Sequence, residues 1–358
     1  MDYNSYQSCE LCPRRCRVNR LGSPNARGTK DIDSVQSAST GFCGCGPVVK
    51  VARAALHQWE EPCISGFRGS GTVFFTGCTL RCCFCQNYNI SQEGFGKEIT
   101  DEKLADIFLR LQDQGAHNIN LVTATQYLPS VLKALDSVKQ KLTIPIVYNC
   151  GGYERVETVK ALADYVDIWL PDLKYCDPGL SARYSGAPDY FKVASAAVAQ
   201  MIKQTGDLTF QTVYEEADLS TPAAQSGGSA GGIRPASGSA GSAGSAGSTH
   251  SGRSLALMTK GVIIRHMVLP GAKDDSIRLL HWIRENLPED QFYVSLLSQY
   301  TPFYKSCDHP EINRRITSYE YYQVVDTAIE LGLTRGFMQE KSSAKEEYTP
   351  PFNLEGID

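Results

Sequence analysis

The chain has 358 residues, 42% of them hydrophobic, enough to bury one large core or a main domain with a small appendage. Its formal net charge of -4 carries no basic excess, which argues against a broad electrostatic grip on nucleic acid or anionic lipid. The opening residues MDYNSYQSCELCPRRC hold no apolar stretch of leader length, and no later run approaches the roughly 18 apolar residues of a membrane helix, so a cytoplasmic protein is expected. Thirteen cysteines exceed what packing requires, and clustered thiols in a reducing compartment point to metal rather than to disulfides.

Residues 1–70 are rich in Cys, Gly, Pro and Arg and lack sustained periodicity, which predicts a small region ordered by metal rather than by an apolar core. Cys9, Cys12 and Cys16, with Cys43 further on, offer four soft ligands. Four thiols suit a tetrahedral zinc or a second, structural iron–sulfur cluster, and Cys45 could stand in for Cys43. Cys63, Cys176 and Cys307 are isolated and are not expected to bind metal.

From Thr72 onward, short β-branched or aromatic runs alternate with helical patterns, the signature of repeated βα units around a parallel sheet. The first strand is Thr72 to Thr76, followed by a cysteine loop. A helix from about Asp101 places Leu104, Ile107, Phe108 and Leu111 on one face, with Thr100 as N-cap and a stop at Gly115. Strands follow at 118–124, 144–148, 166–173, 262–268 and 292–297, with helices from Pro129, over 154–165, over 190–204, over 275–287 and over 318–331. Six such units predict a partial (β/α)6 barrel over 71–340, with its chemistry at the C-terminal ends of the strands, and a tail over 341–358. A doubly wound sheet is the competing architecture. The segment 222–253 is mostly Ser, Gly and Ala and has almost nothing to bury, so it is expected to be a disordered surface insertion.

Directly after the first strand comes GCTLRCCFC, which puts Cys78, Cys82 and Cys85 in one loop at the barrel mouth. Spacings of three and two residues let one loop wrap three corners of a cubane, leaving the fourth iron open to a cofactor. The plainer alternative is zinc with a fourth ligand from elsewhere, such as Cys83 or Cys63. Cys-x3-Cys-x-aromatic-Cys ahead of five more βα units resembles the radical S-adenosylmethionine (SAM) superfamily. That resemblance implies that Cys78, Cys82 and Cys85 ligate a 4Fe-4S cluster, that SAM chelates the open iron, that Phe84 borders the adenine and that Cys83 is no ligand. It also implies reductive cleavage of SAM to a 5'-deoxyadenosyl radical that abstracts hydrogen, with electrons from a flavodoxin or ferredoxin.

Within that superfamily the phrases CELCPRRCRVNR from Cys9, VARAALHQWEEPCISG from Val51, CQNYNIS from Cys85 and YTPPF from Tyr348 resemble the pyruvate formate-lyase activating enzyme and its uncharacterised relatives. A glycyl radical enzyme or similar protein would then be the substrate; radical modification of a small molecule, or a non-catalytic zinc or iron–sulfur module, are the alternatives. Where the superfamily carries Gly-Gly-Glu, this chain has Thr123-Ala124-Thr125-Gln126, which leaves the ligand of the SAM amino group open. By the same resemblance Asn149 and Gly151 form a cofactor turn, and Asp172 and Lys174 match an Asp-x-Lys motif whose lysine contacts SAM. Arg265 and His266 resemble positions lining the cofactor site, and Gln299 and Tyr300 end the sixth strand.

Overall fold

A computed structural model describes residues 1–22, 39–215, 234–235, 253–339 and 349–358. Its centre is one mixed sheet in the order β3 (Lys97–Ile99), β1 (Val49–His57), β2 (Ser70–Phe75), β4 (Ile119–Val122), β5 (Ile146–Cys150), β6 (Ile168–Pro171), β9 (Ser254–Met267), β10 (Tyr293–Leu297), β11 (Gly336–Met338), β8 (Arg234–Pro235), with β7 (Thr209–Tyr214) paired to β9 off that path. The parallel portion runs from β2 through β4, β5, β6, β9 and β10 to β11. These are the six predicted strands, plus one. Every residue of β2 and β6 is buried, which is why neither reads as an alternation of apolar and polar residues. The sheet does not close on itself, so the barrel is partial: β3 (Lys97–Ile99) ends one side and β8 (Arg234–Pro235) the other.

Two short helices, α1 (Pro62–Ser65) and α2 (Tyr88–Ser91), flank β2, and longer helices return over the sheet between the later strands. α3 (Asp101–Asp113) is capped by the Thr100 hydroxyl, which accepts from Lys103 N–H at 3.1 Å. α4 (Leu128–Val138) carries Pro129 in its first turn, where a missing N–H costs nothing. α5 (Val156–Ala161), α7 (Tyr190–Thr205), α8 (Lys273–Asn286) and α9 (Ser318–Glu330) complete the predicted series, and a short α6 (Pro178–Ser185) precedes α7. Between the layers, Trp169 of β6 and Tyr148 of β5 are fully buried with ring centroids 5.3 Å apart.

Three features depart from the sequence expectation. β1 (Val49–His57) pairs antiparallel with β2 and β3, so these nine residues join the main sheet. A register shift between Val51 and Arg53 breaks the two-residue alternation that would have revealed the strand. β9 begins at Ser254 rather than 262, and its first half forms an antiparallel arm with β7 (Thr209–Tyr214). The C-terminal residues lie along β1, with Leu354 N–H donating to Ala52 O at 3.1 Å and Ala54 N–H to Glu355 O at 2.9 Å, and Phe352 edge-on to Phe74 at 5.4 Å.

The Ser-Gly-Ala insertion, apart from 234–235 and Arg253, falls outside the described residues, as does Tyr348. Among the described residues no helix is long and apolar enough to cross a membrane.

Candidate active site

β2 delivers the chain to Gly77, whose φ of +89° and close packing leave no room for a side chain; an added Cβ would lie 2.1 Å from Cys45 Sγ. The loop that follows carries the three predicted ligands, and each sulfur has a donor beside it. Leu80 N–H reaches Cys78 Sγ at 3.4 Å, Ser185 Oγ reaches Cys82 Sγ at 2.9 Å, and Ser91 Oγ lies 3.3 Å from Cys85 Sγ. Burial pushes the Cys82 thiol up, and burial together with the Cys78 and Cys82 charges pushes Cys85 up to about 12. Cys82 is buried and Cys78 and Cys85 are half-buried, and thiols held this close need a positive centre to become ligands; their donors suit bound thiolates. This donor set fits an iron–sulfur cluster. The backbone of Cys83 instead ties the loop to its surroundings, donating to Tyr184 O and accepting from Lys305 N–H.

Cys82, Phe84 and Cys85 open onto a cavity of about 240 Å³ that is also lined by Asn149, Asp172, Lys174 and Arg265 from the ends of β5, β6 and β9. Lys174 Nζ lies 2.5 Å from Asp172 Oδ2. Burial opposes the charge on Lys174, but Asp172 and the nearby Cys82 and Cys85 more than offset it and hold the ammonium protonated. The strand ends are locked together by the Tyr190 hydroxyl, which accepts from Lys174 N–H at 3.0 Å and lies 2.9 Å from both Gly151 O and Asp172 O. Gly152, at φ +75°, permits this closure, since a Cβ there would sit 2.0 Å from Asp172 O. Phe84 is buried edge-on against Tyr300 at 5.8 Å and Tyr184 at 6.5 Å.

Not every sequence candidate reaches this cavity. Thr123 donates to Asn149 O at 2.9 Å and so supports the wall from behind. Thr125 bonds Tyr148 Oη at 2.8 Å and Glu154 at 2.7 Å in a fully buried cluster, and Gly151 packs under Leu80 and the Lys174 stem. His266 is also turned away, bonded to Leu173 O at 2.7 Å and Ser276 Oγ at 2.8 Å. Neighbouring residues on a strand face opposite sides, so Arg265 and His266 cannot both line the site. Gln299 lines the cavity, whereas the Tyr300 hydroxyl is spent on Ile312 O at 2.7 Å. His57, the last residue of β1, and Trp59 and Glu60, from the connection between β1 and α1 (Pro62–Ser65), line it too, all within the phrase VARAALHQWEEPCISG, which carries the family resemblance without giving these residues a role.

The N-terminal cysteine loop rests directly on this loop. Arg14 donates to Thr79 O at 2.9 Å, Ser185 O at 3.1 Å and Gly186 O at 2.5 Å, and stacks 3.9 Å over Phe42. Burial, then the charges of Glu154, Cys43 and Cys16, push Cys12 up to about 12. Cys16 Sγ accepts from Phe42 N–H at 3.3 Å, while Cys9 Sγ lies 3.7 Å from the Arg20 guanidinium and Cys45 Sγ 3.4 Å from Thr76 O. Among the described residues no group of three or more His, Cys, Asp or Glu side chains is gathered tightly enough to hold a single ion. A cubane asks for something different, because each of its thiolates takes a separate iron corner.

Residues 72–205 match the sequence profile of the radical SAM superfamily. Over 338 residues the chain is 27% identical to an uncharacterized protein of Methanocaldococcus jannaschii, the match covering 92% of this chain and 75% of that one. The solved structure of Streptococcus suis SuiB bound to S-adenosylmethionine overlays with a TM-score of 0.42 at 13% identity, covering 74% of this chain and 48% of SuiB. SuiB bound to its precursor peptide SuiA gives 0.40 at 14% identity, with 74% and 46% covered. The chain thus spans about half the length of SuiB.

Proposed function

From its membership in the radical SAM superfamily, carried by residues 72–205, we propose that this SAM-dependent radical enzyme takes hydrogen from a glycine or another position of a protein or peptide partner, as glycyl-radical-enzyme activases do. When bound, the 4Fe-4S cluster and SAM supply one electron and a 5'-deoxyadenosyl radical for that abstraction. The observation that carries the activase reading is the Asp172–Lys174 ion pair in the same cavity as Cys82, Phe84 and Cys85.

In this reading Cys78, Cys82 and Cys85 hold the cluster, with Ser185, Ser91 and Leu80 N–H stabilising the sulfurs. Lys174, kept charged by Asp172, receives an anionic group of the cofactor, and Asn149 and Arg265 present polar atoms to the same space. Phe84, rigid between Tyr184 and Tyr300, gives an apolar wall against which an adenine packs. Gly152 and Tyr190 fix the β5 and β6 ends that carry Asn149, Asp172 and Lys174.

The N-terminal Cys9, Cys12, Cys16 and Cys43 are proposed as a second metal centre, zinc or iron–sulfur, and a flavodoxin or ferredoxin as the electron donor. Support for the second centre is that Cys16 and Cys43 lie near enough to Cys12 for their charges to add to the rise of its pKa, after burial and Glu154. The runner-up is radical modification of a small molecule, favoured by the small volume of the cavity.

Isotope transfer separates the two. A candidate glycyl radical enzyme bearing deuterated glycine should pass deuterium into 5'-deoxyadenosine, measured by mass spectrometry on the reduced, reconstituted enzyme. Unlabelled product with every such partner, beside labelled product from a small molecule, would remove the activase reading.

A further inference from the structure

We infer that Glu60 is the substrate-binding carboxylate of this cavity, and that the group it receives is a cation, an ammonium or guanidinium on an aliphatic stem. The inference deepens the radical-enzyme reading of the same cavity and rests on it. Glu60 lies outside the matched 72–205 segment, on the connection between β1 and α1, yet it lines the cavity with Cys82 and Cys85.

Its placement is fixed from three sides. Glu60 N–H donates to Ser65 Oγ at 3.0 Å. Its Oε1 accepts from Asn120 Nδ2 at 2.9 Å and Asn149 Nδ2 at 3.3 Å, and its Oε2 lies 3.2 Å from Arg265 Nη1. Glu61 comes next, 2% exposed, with Oε1 3.4 Å from Arg265 Nε but neither carboxylate oxygen hydrogen-bonded. One guanidinium therefore faces two carboxylates.

The charge count decides the sign of the ligand. Asp172 and Lys174 pair with each other, and the single guanidinium of Arg265 is shared between Glu60 and Glu61, which leaves one negative charge in excess; Glu61 is buried behind the cavity wall, so Glu60 is the carboxylate that presents it to the cavity. Buried charge without a partner is costly, and an entering cation relieves that cost. An anionic substrate group would find Arg265 already engaged by both carboxylates. His57, also on the lining, is disfavoured as a cation, because burial lowers its pKa and, with Arg53 and Arg265, outweighs the opposing pull of Glu60. Trp59 presents an aromatic ring to the same cavity, a surface attractive to a cation, while Val122, Met267 and Leu297 suit an alkyl stem.

The test titrates the reconstituted enzyme with SAM bound against n-butylammonium, n-butylguanidinium, butyrate and n-butanol, by calorimetry. The two cations should bind at least about tenfold tighter than butyrate or butanol, and Glu60→Gln should erase about tenfold or more of their affinity, as expected for a lost charge-assisted hydrogen bond. Because a buried substitution can disturb folding, the preference of the wild-type protein is the first readout and the variant is scored only at wild-type iron content. Butyrate binding as tightly as the cations would overturn the inference, as would an unchanged preference in the variant. So would a variant whose only defect is weaker SAM binding, since Glu60 would then serve the cofactor's own amino group. Wild-type enzyme that cleaves SAM but shows no cation preference sinks this inference alone. Wild-type enzyme that cannot cleave SAM sinks the radical reading, while the titration still reports on Glu60.

Discussion

Cys82→Ala should lower production of 5'-deoxyadenosine from SAM by roughly a thousandfold, a loss of about 4 kcal/mol in transition-state stabilisation, while Cys83→Ala retains it. The two sulfurs belong to adjacent residues but have different surroundings. Cys82 is buried with its sulfur 2.9 Å from Ser185 Oγ, near enough to the Cys78 and Cys85 thiols and to Lys174 for their charges to be felt. Cys83 is half-buried, and burial, then the Cys82 charge, then Asp308 and Glu311 push its thiol up, while its backbone is tied to Tyr184 and Lys305. The measurement is anaerobic turnover of dithionite-reduced protein with iron and sulfide counted for each variant. Equal activity in the two variants would mean that the cluster does not use the Cys78, Cys82, Cys85 set.

The second large effect concerns Lys174. Lys174→Met should raise the dissociation constant for SAM by roughly ten- to a hundredfold, the equivalent of about 1.5–3 kcal/mol for a hydrogen bond to a charged group. It also leaves Asp172 without its 2.5 Å partner, so the paired variant Asp172→Asn with Lys174→Met is needed to separate a lost cofactor contact from a stranded carboxylate. If SAM binding recovers fully in the paired variant, Lys174 serves only to neutralise Asp172. Persistent weak binding at wild-type iron content would assign the ammonium to the cofactor. Equilibrium binding to the oxidised, cluster-loaded protein reads this without turnover.

Much of this site was legible in the sequence because it is local. Cys78, Cys82 and Cys85 share one loop, and Asp172 and Lys174 are two residues apart at a strand end. The βα rhythm likewise gave the parallel core, since strands buried on both faces and helices with one apolar face each leave a clear period. What escaped was non-local or locally irregular. The bulge in β1 hid a strand whose following turn carries Glu60 into the cavity, and nothing in Trp-Glu-Glu-Pro announces an approach to Asn120, Asn149 and Arg265. The family resemblance puts both Arg265 and His266 at the cofactor site, although a strand sends neighbours to opposite faces and His266 bonds Ser276 instead. Thr123 and Thr125, standing where a glutamate is usual, turned out to brace other residues rather than face the cavity.

The central claim is that one iron of the Cys78, Cys82, Cys85 cluster lacks a protein thiolate and binds SAM. Mössbauer spectroscopy of iron-57-enriched protein, recorded with and without SAM, addresses it most directly. One of the four iron sites should change its isomer shift when SAM is added while the other three stay as they were. Four sites indifferent to SAM, or zinc held by four thiolates including those three, would contradict it.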